Sequence, residues 1–195
     1  MIQSAINSLG TVVMAASSAA YNIEIITYDI LNSFSQACTT FVGQNVGADD
    51  MKRCKKTLFL CLAEGIATLI FAISLILFFG KYLLAFFNRD PEVVETGYIR
   101  LMMVMLSHTF SLFYEVMAGY LRGFGISTLP AVLTTIGVCG VRIAWIRLVF
   151  PWYQTFRSIM TAYPLSLSVT AMIIFAALLI CHPALRRKKI QEEKS

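Results

Sequence analysis

Charge is scarce in this sequence: Asp, Glu, Lys and Arg make up 14% of the 195 residues, 57% are hydrophobic, and histidine occurs twice. Soluble domains carry charge on about a quarter of their residues, so a water-soluble globule does not fit. No Ser-His-acid set, glycine-rich phosphate loop or His/Cys cluster with metal-ligand spacing occurs, so we expect no enzyme, no cofactor and no metal centre. The five cysteines, Cys38, Cys54, Cys61, Cys139 and Cys181, form no CxxC pair and read as reduced packing thiols. The opening Met1-Ile2-Gln3-Ser4 has no basic segment before its apolar residues, which argues against a secretory leader. Basic residues do not interleave with aromatics along one face, so nucleic acid is not an expected partner.

Long apolar runs are what the sequence has in quantity, at a mean hydropathy of +0.71. Four of them, Thr57 to Phe79, Tyr98 to Leu121, Leu129 to Phe150 and Ser158 to Cys181, are long enough to cross a hydrocarbon core of roughly 30 Å. Thr11 to Val46 is apolar but interrupted by Asn22, Glu24, Asp29, Asn32 and Gln36, and reads as a fifth span with one polar face. Residues 1–10 resemble the end of a further helix, so the chain reads as truncated at its N-terminus. The expected class is an all-α, polytopic transmembrane bundle of five full spans plus an N-terminal partial helix. We expect residues 1–185 to form a transmembrane lobe and residues 186–195 a basic tail.

Helix breaks are expected at Gly43 and Gly47, at Gly80 and Asn88-Arg89-Asp90-Pro91, at Gly123-Phe124-Gly125, and at Pro151. The formal charge of +5 is unevenly spread. The loop Lys52, Arg53, Lys55, Lys56, the turn at Arg122 and the basic tail fall on one side, whereas Arg100 counts with the opposite side. The basic excess places the first side, and the C-terminal tail, in the cytoplasm.

Polar residues inside spans are the candidate functional groups. Asn22, Asp29, Asn32 and Gln36 follow intervals of seven, three and four, one helical stripe, so they are expected to line a cavity. An unpaired carboxylate at the depth of Asp29 costs about 2.5–3.5 kcal/mol, so it is expected to be paired, hydrated or protonated. Glu24 is offset from that stripe and reads as an interfacial, solvated acid. His108, Ser111 and Glu115, at i, i+3 and i+7, place an imidazole, a hydroxyl and a carboxylate on one face. Such a carboxylate binds a proton or sodium, or attracts a cation, so two ligands compete for one group. The structural alternative pairs Glu115 with Arg142, an arginine deep enough to act as a pin. Tyr163, Ser166 and Thr170 form a weaker stripe beside Pro164. Gly43-Gln44-Asn45-Val46-Gly47 reads as a helix cap in which Gln44 and Asn45 satisfy end carbonyls, and Arg122-Gly123-Phe124-Gly125 as a structural turn.

Four segments in order carry a resemblance: Gln3-Ser4-Ala5-Ile6-Asn7-Ser8-Leu9-Gly10, Phe41-Val42-Gly43-Gln44-Asn45-Val46-Gly47-Ala48, Leu121-Arg122-Gly123-Phe124-Gly125-Ile126, and Cys139-Gly140-Val141-Arg142-Ile143-Ala144-Trp145. Together they resemble the multidrug and toxic compound extrusion (MATE) family, from the end of its seventh helix to its twelfth. The resemblance implies the C-terminal lobe of a two-lobe antiporter that exports organic cations, drugs or metabolites in exchange for sodium ions or protons by alternating access. It further implies a multi-pass location in the plasma (inner) membrane, membrane lipid and the missing N-terminal lobe as partners, and small cationic or amphipathic substrates. Alternatives are a lipid-linked oligosaccharide flippase of related fold, which the acidic stripes disfavour, and a non-transporting truncated fragment.

Overall fold

The computed structural model describes the backbone of residues 2–192 and the side chains of residues 2–182. The elements in order are a short α1 (Ile2–Asn7), then α2 (Thr11–Gly47), α3 (Met51–Phe87), α4 (Pro91–Gly123), α5 (Thr128–Thr135), α6 (Val141–Leu148) and α7 (Phe156–Glu192), with a π-helical segment, Ile136–Gly140, joining α5 to α6. No strand occurs among the described residues. Four helical runs, Met51–Phe87, Pro91–Gly123, Thr128–Leu148 and Phe156–His182, are long and apolar enough to span a membrane. The 37-residue α2 is longer than a bilayer crossing requires, at about 55 Å, but carries the polar stripe. The protein is a multi-pass integral membrane helix bundle. The expected division at residue 185 and the basic tail fall outside the residues whose side chains are described.

Local chemistry sets most of the helix ends. Asp50 accepts from the Arg53 amide at 2.9 Å and starts α3; Asp90 accepts from the Glu92 amide at 2.9 Å, with Pro91 at the first position of α4. Gly125 at φ 80° turns the chain after α4. Two expected breaks do not occur. α2 runs unbroken through Gly43 and ends at Gly47, and the left-handed residue that follows is Asp49 (φ 64°) rather than a glycine. Gly80 lies buried inside α3, where a Cβ would stand 3.0 Å from Tyr98 and Leu101. It serves helix packing instead of a turn. Gln44 is exposed, while the Asn45 side-chain amide donates to the Phe41 carbonyl at 2.8 Å and to Thr57 Oγ1 at 3.4 Å, fastening α2 to α3.

The largest interface in the bundle is between α2 and α4. A Cβ on Gly119 would lie 2.5 Å from the Ser35 carbonyl oxygen, and one on Gly123 would lie 2.7 Å from Val42 Cβ. Gly119 and Gly123, four apart, therefore form a flat strip against Ser35, Thr39 and Gly43, also at four-residue spacing. Small residues at that spacing let two backbones approach. Polar bonds line the seam: Ser35 Oγ donates to the Glu115 carbonyl at 2.6 Å, and Thr39 Oγ1 lies 3.0 Å from the Gly119 carbonyl.

The ends alternate as the charge pattern requires. The end of α2 meets the start of α3 through Asn45 and Thr57, and Tyr120 of α4 stacks on His182 of α7. At the other end Lys81 of α3 pairs with Glu95 of α4 at 2.5 Å, and Gly97 of α4 lies beside the Ala16 carbonyl of α2. One core joins α2, α3, α4 and α7, and a smaller one, with Ala5, Ile6, Val104, Ile159 and Met160, docks α1. Phe59, Phe71 and Phe78 of α3 are exposed, as on a face solvated by lipid.

Gly119→Ala should lower stability by about 1–3 kcal/mol through overpacking the seam. Gly47→Ala, where a Cβ meets nothing within 4 Å, should leave it unchanged or slightly raised. Thermal unfolding followed by circular dichroism in detergent micelles compares the two; equal effects would refute the close seam.

Candidate functional site

Two cavities open between the helices. The first, about 340 Å³, is bounded by α2, α4, the π segment, α6 and α7, and contains Glu24, Tyr28, Arg100, His108, Arg142 and Tyr163 among its lining residues. The second, about 470 Å³, lies nearer the basic end of the bundle and is formed by Asn32, Gln36, Thr39 and Thr40 of α2 with Glu115 and Arg122 of α4. Tyr28 borders both.

On α2, Glu24, Tyr28, Asn32, Gln36 and Thr40 line the cavities at four-residue intervals, with Tyr21, Ile25 and Thr39 beside them. This revises the expected stripe. Asn32 and Gln36 line the second cavity, but Asp29, one residue past Tyr28 and so about 100° round the helix, is exposed and lines neither. Among the described residues Asp29 has no ion pair. Glu24, expected at a wet interface, is instead 6% exposed and grips Arg100, which is 4% exposed. Arg100 Nε donates to Glu24 Oε1 at 2.7 Å and Nη2 to Oε2 at 2.8 Å, a two-pronged pair, while Nη1 reaches Ser17 Oγ at 3.2 Å. Arg100, counted with the residues of the opposite side, is thus enclosed within the bundle.

The residues expected to share one face of α4 are split between the cavities. His108 and Ser111 face the first, and Glu115, about 10 Å further along the axis from His108, faces the second. Tyr28 stands between them, its hydroxyl donating to Glu115 Oε1 at 3.4 Å. The cation beside Glu115 is Arg122, at 3.7 Å, and not Arg142. Arg122 Nη2 also donates to Ser35 Oγ at 2.7 Å. Arg122 is therefore a cavity wall as well as the last turn of α4, more than the structural turn expected of it.

Arg142 has no carboxylate partner among the described residues. Its Nε donates to Ser166 Oγ at 3.0 Å, and its guanidinium lies 4.3 Å from the centre of the Tyr163 ring. The Arg100 guanidinium lies 5.7 Å from the same ring, so Tyr163 is flanked by two cations. Ser166 and Thr170, its partners in the expected stripe, are fully buried in helix packing: Thr170 presses on Gly137 of the π segment. His108 is 7% exposed, and neither ring nitrogen has a hydrogen-bond partner.

Sequence reasoning passed over Tyr28 of the cavity walls and the Glu24–Arg100 pair. The four-residue spacing of Glu24, Tyr28, Asn32 and Gln36 was the available signal for both of these.

The chain is a membrane helix bundle with two cavities between its helices, each bordered by an arginine and a glutamate. The family model MatE matches residues 1–148, and the chain belongs to that family of multidrug and toxic compound extrusion proteins. Among curated relatives, "Multidrug and toxin extrusion protein 1" of Homo sapiens is 31% identical over 132 residues, 66% of this chain and 23% of that protein. Its Mus musculus counterpart is 33% identical over the same shares. "Probable multidrug resistance protein NorM" of Chromobacterium violaceum is 24% identical over 174 residues, 87% of this chain and 37% of that protein. The chain thus matches well under half the length of these relatives.

Replacing Glu24 by Leu should cost about 3–5 kcal/mol, because it strands the Arg100 charge in the interior. Adding Arg100→Met should recover most of that loss in the same unfolding assay. A double variant as unstable as the single one would show that the pair is not a closed unit.

Proposed function

We propose that this chain supplies the C-terminal lobe of an ion-coupled efflux transporter, exporting drugs or metabolites, organic cations included, in exchange for sodium ions or protons. The observation that carries this reading is the contrast between a buried glutamate, Glu24, and a half-buried one, Glu115. Glu24 is locked by two short bonds to Arg100, whereas Glu115 sits in an open cavity with only the longer contacts to Arg122 and Tyr28. A loosely held carboxylate at this depth is free to change partner. Sodium or a proton arriving at Glu115 neutralises it and frees Arg122 and Tyr28; a cationic cargo competes for the same oxygens. Exclusive occupancy of one acid by ion or cargo is the elementary requirement of antiport.

Alternating access needs a second helix bundle to rock against, so the partner in this proposal is an N-terminal lobe that closes the open sides of both cavities. The names of the relatives support drug extrusion as the activity of the whole assembly. Lys52, Arg53, Lys55 and Lys56 at the start of α3 and Arg122 at the end of α4 favour placing that end in the cytoplasm, together with the basic tail, in a plasma (inner) membrane.

In the full-length protein, Glu115→Gln should abolish ion-driven efflux of a fluorescent cation from right-side-out vesicles loaded with it, with the amount of inserted protein unchanged. Efflux still driven by an imposed sodium or proton gradient in that variant would remove Glu115 from the coupling step.

A further inference from the structure

The first cavity has a charge balance opposite to the one its stripe of acids led us to expect. Glu24 and Arg100 cancel each other, and Arg142 then remains as an arginine with no carboxylate among the described residues. The same cavity holds His108, 93% buried by its 7% exposure, with both ring nitrogens unpartnered. A buried imidazole without hydrogen bonds costs about 1–3 kcal/mol. A fold that keeps it beside an unpaired guanidinium has donors placed around a space of about 340 Å³. Apart from the Ser111 hydroxyl, the rest of the wall is apolar or aromatic and includes Ile25, Val104, Leu167, Tyr21 and Tyr114.

We infer that this cavity is a binding site for an organic monocarboxylate with a ring-sized apolar body. The carboxylate meets the free edge of the Arg142 guanidinium and one N–H of His108. Tyr163, already stacked on Arg142 at 4.3 Å, holds the guanidinium plane in place. The ring lies against the aliphatic and tyrosine wall. Such a pocket suits a small ligand in size, since sites of this type start at roughly 300 Å³. The site stands without the efflux reading; only the carboxylate's role as cargo rests on it.

The test uses radiolabelled benzoate and the purified full chain in detergent micelles. Saturable binding is expected, displaced by unlabelled benzoate but not by equal concentrations of benzamide, benzylammonium or chloride. Arg142→Gln should weaken it by about tenfold or more, as loss of a charge-assisted bond does. Arg147→Gln, at an exposed arginine five residues along the chain from the cavity wall's Arg142, should leave it unchanged. His108→Phe is the second variant, informative even if Arg142→Gln fails to fold: it should bind benzoate more weakly yet unfold at a temperature equal to or above the parent. Absence of saturable binding, equal displacement by benzamide or by chloride, or unchanged affinity in His108→Phe would each overturn the proposal. Benzoate binding without efflux by the full-length transporter would refute only the transport reading.

Discussion

The approach of α2 to α4 is the constraint from which the other features follow. Gly119 and Gly123 present bare backbone to Ser35, Thr39 and Val42, so two long helices lie against each other over much of their length. In hydrocarbon there is no hydrophobic gain from bringing helices together, and close van der Waals packing with short polar bonds has to serve instead. Once the two backbones touch at this end, the polar face of α2 and the His108–Glu115 face of α4 can only flank the seam. The cavities are the space left on that flank, and Tyr28 divides them.

The Glu24–Arg100 pair secures the opposite end of the seam. Its two short bonds lie almost out of contact with solvent, and Ser17 takes a further donor. A pair so enclosed offers little to a passing ion. Glu115 differs because Arg122 reaches it at 3.7 Å while also committed to Ser35, so the acid keeps unfilled lone pairs on the cavity side. Two acids on adjacent helices thus differ in how firmly they are held, and in the proposed function the loosely held one is the exchanging group. The ordering of neighbours, and not burial alone, sets which is which.

Arg142 shows how a membrane-embedded charge is tolerated without an ion pair. Tyr163 covers one face of the guanidinium and Ser166 takes one donor, which leaves hydrogen-bonding capacity on a side chain that borders both the first cavity and a neighbouring one formed with Ile2, Cys139 and Ile143. Its position on the first turn of α6, directly after the π segment, depends on Gly137 lying against Thr170 of α7. A larger residue there would push α6 away from Tyr163.

The sequence alone determined the class, the spans and their order, because length, apolarity and glycine or proline at chain reversals act locally along the chain: Asp90-Pro91 starts α4 and Gly125 turns the chain after it. It also singled out His108, Ser111, Glu115, Asn32, Gln36 and Tyr163 as membrane-embedded groups that face polar space. It did not assign partners. Glu24 reads as an interfacial acid and Asp29 as a cavity acid only when the stripe is started from Asn22; started from Glu24 it runs through Tyr28, Asn32 and Gln36 and leaves Asp29 one residue off it. Whether Glu115 meets Arg122 or Arg142, and whether Gly80 ends a helix or packs inside one, is decided by which helix lies alongside. Those contacts join residues up to 87 positions apart, and no local rule of spacing contains them.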